Sequence, residues 1–151
     1  MRVEVLGDDF AGVLAGLNRL IRRRVRRQMS VPPLRGAQAE LLRLVQASPG
    51  ISVSAAAKEL YLAGNSVSTL VNQLTAAGLL HRETRSDDRR SARLLPTPEA
   101  EARLRAWQER RAAIVREHME LLGADDRAAL AAALPALRRL AGSLREDVTT
   151  E

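Results

Sequence analysis

Apolar residues recur at helical spacing along most of this chain and divide it into six segments. Phe10, Val13, Leu14, Leu17, Leu20 and Ile21 share one face of a first helix, with Asp8 or Asp9 placed to cap it. That helix ends in Arg22, Arg23, Arg24, Arg26 and Arg27, and Pro32 and Pro33 stop it. A second helix is expected from about Arg35 to Ala47, with Leu41, Leu42 and Val45 inward. After the turn Ser48-Pro49-Gly50, a short third helix covers about Val53 to Leu60, capped by Ser52 or Ser54. Leu62, Ala63 and Gly64 then turn the chain into a fourth helix.

The fourth helix has two distinct faces. Val67, Leu70, Val71 and Leu74 stand at i, i+3, i+4 and i+7, which makes one buried stripe. The other face holds Asn65, Ser66, Ser68, Thr69, Asn72 and Gln73, short uncharged side chains that donate and accept hydrogen bonds. Gly78 ends the helix. Leu79 and Leu80 lead into a polar stretch from His81 to Arg93, with turn residues Ser86-Asp87-Asp88 at its middle, read as a two-stranded hairpin closing at Leu94 and Leu95. Pro96 and Pro98 open a fifth helix to about Leu122. Gly123 breaks it, and Asp125 or Asp126 caps a sixth. There Leu130, Leu134, Leu137, Ala141, Leu144 and Val148 alternate by four and three, a seam suited to helix-to-helix association that Pro135 interrupts.

Composition narrows the fold class. Aromatic residues are only 2% of the 151 residues, so the core must come from Leu, Val, Ile and Ala, which favours helices packed on helices. The expected fold is therefore mainly α, with six helices and one hairpin. Cysteine is absent, which removes disulfides, thiolate metal sites and thiol redox chemistry. No cleavable signal pattern and no membrane-length apolar run is seen, so the expected location is the cytoplasm, away from any membrane. The net charge of +6 is nearly all arginine, since Lys58 is the one lysine. Guanidinium forks match phosphate oxygens, but an acidic protein surface would also suit them.

Two short helices, a tight turn and a basic hairpin are the parts of a winged helix-turn-helix. The second helix of such a pair enters the DNA major groove, and the hairpin grips phosphates or reaches the minor groove. The fourth helix then supplies Ser66, Ser68, Thr69, Asn72 and Gln73 toward bases. The hairpin supplies Arg82, Arg85, Arg89, Arg90 and Arg93, and Asp88 is read as a structural turn residue. Against this stands a plain reading in which the polar helix face is only solvated and the arginines pair locally with Glu83, Asp87 and Asp88.

The residues that carry a family resemblance are Ile51 to Leu60, Asn65 to Leu74, Ala77-Gly78-Leu79-Leu80-His81-Arg82, and Asp88-Arg89-Arg90 separated by six residues from Thr97-Pro98-Glu99. Together they resemble the MarR family of bacterial transcription regulators. The resemblance implies one domain over 1–151, with a winged helix-turn-helix core at about 34–99 and dimerisation helices at about 8–28 and 98–148. It also implies a homodimer on a palindromic double-stranded operator. A repressor released by a small-molecule effector follows, with helices 1, 2 and 5 lining the effector site; Phe10, Leu14 and Trp107 are its candidates here. This sequence departs from the family at several points. The reading helix is neutral, Pro96 precedes Thr97, Tyr61 stands where glycine is common, and Arg35 stands where a capping Thr or Ser is common.

No catalytic arrangement is found. There is no nucleophile with a positioned base and no phosphate-cradling glycine loop. His81 and His118 are the only histidines, and His118 beside Glu117 and Glu120 is read as a solvated residue rather than a metal ligand. No cofactor and no enzyme activity are expected. The rival function is a helical interaction module that binds an acidic protein through the arginines.

Overall fold

The computed structural model describes residues 2–31, 34–84 and 92–149. The chain divides into two compact units, Met1–Arg111 and Ala112–Glu151, with the division inside the fifth helix. The first unit contains α1 (Val3–Gln28), α2 (Gly36–Ala47), β1 (Ile51–Ser52), α3 (Val53–Glu59), α4 (Gly64–Ala76), β2 (Leu80–Thr84), β3 (Ala92–Pro96) and most of α5 (Pro98–Met119). The second holds the end of α5 and α6 (Ala124–Thr149).

The first unit has a core of aliphatic side chains, as an aromatic-poor sequence requires. Leu41, Leu42 and Val45 of α2, Ala56 and Ala57 of α3, and Val67, Val71 and Leu74 of α4 are buried together with Leu79, Leu80, Leu94, Ala100 and Leu104. Leu70 packs against this cluster without being fully covered. The α4 stripe is thus anchored as its spacing predicts.

The hairpin strands pair antiparallel, from Leu80 opposite Pro96 to Thr84 opposite Ala92. A third strand joins them. Ile51 and Ser52 pair with Leu94 and Arg93, giving the order β1-β3-β2. Two residues carry no readable period, so this strand exists only because β3 lies alongside to accept it. Ser52 serves a second purpose, since its hydroxyl accepts the Ala55 N–H at 3.1 Å and caps α3.

Several helix ends differ from expectation. The first helix begins at Val3, after Arg2, and Asp8 and Asp9 lie within it. Asp8 and Asp9 are the sixth and seventh residues of that helix, past its first turn, so they do not cap it; the helical run simply extends back to Val3. Asp125 and Asp126 fall in the first turn of α6, after Gly123. At the end of α5 the backbone tightens, with Leu121 N–H reaching the His118 carbonyl and Leu122 N–H the Met119 carbonyl. Arg127 then donates to the Leu122 carbonyl at 2.9 Å and covers that helix end.

Candidate nucleic-acid interface

The turn between α3 and α4 aims the interface. Leu62 N–H reaches back to the Ala57 carbonyl at 3.0 Å while Tyr61 adopts φ 52. This is a left-handed helix stop with a tyrosine where glycine would be unstrained. The other end of α4 uses the same geometry with the favoured residue: Gly78 has φ 71, and Leu79 N–H reaches the Leu74 carbonyl at 2.9 Å. Thr97 ties that exit to the next helix. Its hydroxyl donates to the Gly78 carbonyl at 2.7 Å and accepts the Ala100 N–H at 3.2 Å, and its own N–H meets the Leu79 carbonyl. The Thr97-Pro98-Glu99 motif therefore closes α4 and opens α5 at one residue.

With the stripe buried, the polar face of α4 points outward. Asn65, Ser66, Thr69, Asn72 and Gln73 are exposed, and Ser68 is half-buried. The Thr69 hydroxyl donates to the Asn65 carbonyl at 3.0 Å, a turn back along its own helix. Asn65 Oδ1 accepts the Ser66 N–H at 2.8 Å. Two contacts join this face to other elements. Arg82 on β2 donates through Nη2 to Asn72 Oδ1 at 3.0 Å. Gln38 on α2 donates through Nε2 to Gln73 Oε1 at 2.9 Å. Gln38 is itself oriented by the Arg35 N–H, which its Oε1 accepts at 3.2 Å at the start of α2. Neither contact is visible in the sequence, because the partners lie far apart along it.

Of the hairpin arginines, Arg82 is exposed beside Asn72, and Arg93 is exposed on β3 with its side chain lying over Gly50. The structure thus brings Arg82 to the α4 face and sets Arg93 at the β1 side of the sheet. Arg85, Arg89, Arg90 and Asp88 lie outside the described residues.

A second feature is a cavity of about 140 Å³ bounded by the C-terminal end of α1, the start of α2 and the first half of α5. Arg22, Arg26, Arg35, Arg43 and Arg103 line it, together with Met29, Leu34, Leu104 and Trp107. Trp107 is half-buried, with the Arg43 guanidinium 5.2 Å and that of Arg111 5.6 Å from its ring centroid. Phe10 and Leu14 are not among the lining residues; they stand nearer the start of α1, Phe10 half-buried and Leu14 exposed. His118 contacts the Ile114 carbonyl of its own helix through Nδ1. Among the described residues no group of three or more potential ligands could hold a metal ion, and no helix is long and apolar enough to cross a membrane.

Comparison with known proteins agrees with this architecture. Residues 33–91 match the model of the MarR family. No curated protein matches the sequence closely. Among solved structures, RV1404 from Mycobacterium tuberculosis is similar at 19% identity, with 94% of this chain and 95% of that one covered and a TM-score of 0.77. A MarR family protein from Bacillus stearothermophilus is similar at 17% identity, over 94% and 99% of the two chains, with a TM-score of 0.71. FabT from Streptococcus pneumoniae, solved in complex with DNA, is similar at 17% identity, over 95% and 99%, with a TM-score of 0.68. Residues 33–91 thus resemble the MarR family, and nearly the whole chain shares the fold of these solved structures.

Proposed function

We propose that this protein is a sequence-specific repressor that binds a palindromic operator as a homodimer and is released by a small-molecule effector. The observation that carries the DNA reading is α4 itself: its apolar stripe is locked into the core while Asn72 stands exposed beside Arg82 and Gln73 exposed beside Gln38. A helix held this way can enter the major groove, with Arg82, Arg85, Arg89, Arg90 and Arg93 taking phosphates or the minor groove. A salt titration on operator and scrambled duplexes tests the division of labour. Asn72→Ala or Gln73→Ala should cost about 1–3 kcal/mol on the operator and little on scrambled DNA. Arg89→Ala or Arg90→Ala should weaken both duplexes alike and flatten the slope of log affinity against log salt by about one unit each. Wing variants that keep the full slope while helix variants lose it would reverse the assignment. Binding indifferent to sequence throughout would favour the acidic-protein partner instead.

Homodimerisation draws support from apolar rows on both terminal helices. Leu14, Leu17 and Leu20 of α1 are exposed, and so are Leu134 and Leu144 of α6. A two-fold dimer would present two reading helices to two half-sites. The effector site in this reading is the arginine-lined cavity at Trp107, whose charge suits a small anion with an apolar ring. An effector acts by binding one spacing of the two reading helices better than the other. Trp107 is the chain's single tryptophan, so its fluorescence reports directly on this cavity. Aromatic carboxylates should change that emission and weaken operator binding over the same concentration range. A change in operator affinity with Trp107 emission untouched would move the effector site elsewhere.

A further inference from the structure

We infer that α4 reads hydrogen-bond acceptors, so that the bases facing Asn72 and Gln73 are guanine or thymine rather than adenine. The inference rests on the reading of α4 as the base-contacting helix. An unrestrained Asn or Gln amide suits adenine, because its oxygen takes the N6 amino group while its nitrogen gives to N7. In this protein both oxygens are already directed at protein donors. Arg82 can only donate, so the Asn72 atom that meets it must be Oδ1. The second case is fixed through a relay. The Arg35 backbone N–H can only donate, which turns Gln38 Oε1 toward it and leaves Gln38 Nε2 to face Gln73, whose contacting atom is then Oε1.

A planar amide that turns its oxygen inward turns its NH2 the other way. Asn72 and Gln73, both exposed, therefore offer donors to the groove. Asn65 has the same polarity, with its Oδ1 taken by the Ser66 N–H. In the major groove guanine shows two acceptors, N7 and O6, and thymine shows O4. Cytosine shows only its N4 amino donor, and adenine's one acceptor, N7, stands beside the N6 amino group, so an NH2 whose oxygen is turned inward gains less at either than at guanine or thymine. Specificity thus depends on Gln38 and Arg82, which hold the reading amides from neighbouring elements.

The polarity can be reversed by one substitution away from the bases. In Gln38→Glu the side chain still accepts the Arg35 N–H and suits the start of a helix, but it has no donor left. Gln73 must then turn its NH2 inward and present Oε1 to the groove. The experiment is selection of bound duplexes from random DNA by the full chain, comparing wild type with Gln38→Glu, Asn72→Ala and Gln73→Ala. Wild type should select guanine or thymine at two positions per half-site. Gln73→Ala should erase the preference at one of them and Asn72→Ala at the other. Gln38→Glu should invert the Gln73 position to adenine or cytosine, by about fivefold or more in relative affinity, and leave the Asn72 position unchanged. Added negative charge should weaken all duplexes alike, which selection does not register. Adenine or cytosine at the Gln73 position of wild type, or an unchanged preference in Gln38→Glu, overturns the inference while leaving α4 as the reading helix. Preferences unaffected by both alanine variants would show that α4 does not read bases, and the inference would fall with that reading.

Discussion

Helices α4 and α6 both repeat Leu and Val at helical spacing, yet they meet different surroundings. In α4 Val67, Val71 and Leu74 are buried at 1% exposure or less, closed over by α2, α3 and the strands. In α6 Leu134 is 46% exposed and Leu144 61%. A row of leucines left open on a helix is costly unless something covers it, and a second copy of the chain is the proposed cover. The same pattern thus meets two surroundings: in α4 it is closed within the core, and in α6 its leucines stand open. The lesson is that periodicity marks a buried face without saying whose surface buries it.

The sharpest way to break the contrast is truncation of each row. Leu74→Ala, in the closed core of the first unit, should cost about 2–5 kcal/mol in chemical denaturation at any protein concentration. A loss well under 1 kcal/mol would mean that the α4 stripe is not the anchor it is taken to be. Introducing charge into the open row acts differently. Leu134→Glu combined with Leu144→Glu should raise the dimer dissociation constant at least about a hundredfold, since apolar interfaces do not accommodate unpaired carboxylates. Sedimentation would then show monomer, while the winged-helix core keeps a cooperative melt. A doubly substituted protein that still sediments as a dimer would remove α6 from the interface.

The smallest effect sharpens the comparison within the first unit, where order comes from closed hydrogen bonds as well as burial. Thr97→Val keeps the size of the side chain but removes both the bond to the Gly78 carbonyl and the cap on Ala100 N–H. It should cost about 0.5–2 kcal/mol in thermal or chemical unfolding. No measurable change would mean that the α4 exit and the α5 start are held by packing alone.

Much of this molecule is legible in its amino-acid order. Periodicity marks six helices and separates the apolar stripe of α4 from its polar face, because both features are local and repeat every few residues. The arginine-rich hairpin and Thr97-Pro98-Glu99 locate the wing and the helix that follows, and the scarcity of aromatic residues calls for the aliphatic core that is observed. Other features belong to the tertiary structure alone. Strand β1 is two residues long and forms because β3 offers a ladder to join. The cavity collects arginines from α1, α2 and α5 that no spacing rule connects. The orientation of the exposed α4 amides depends on Arg82 meeting Asn72, and on Gln38 meeting Gln73 across 35 positions of sequence. Local propensity specifies which residues face outward; which atom of an outward amide is left for a ligand depends on neighbours that only folding brings within 3 Å.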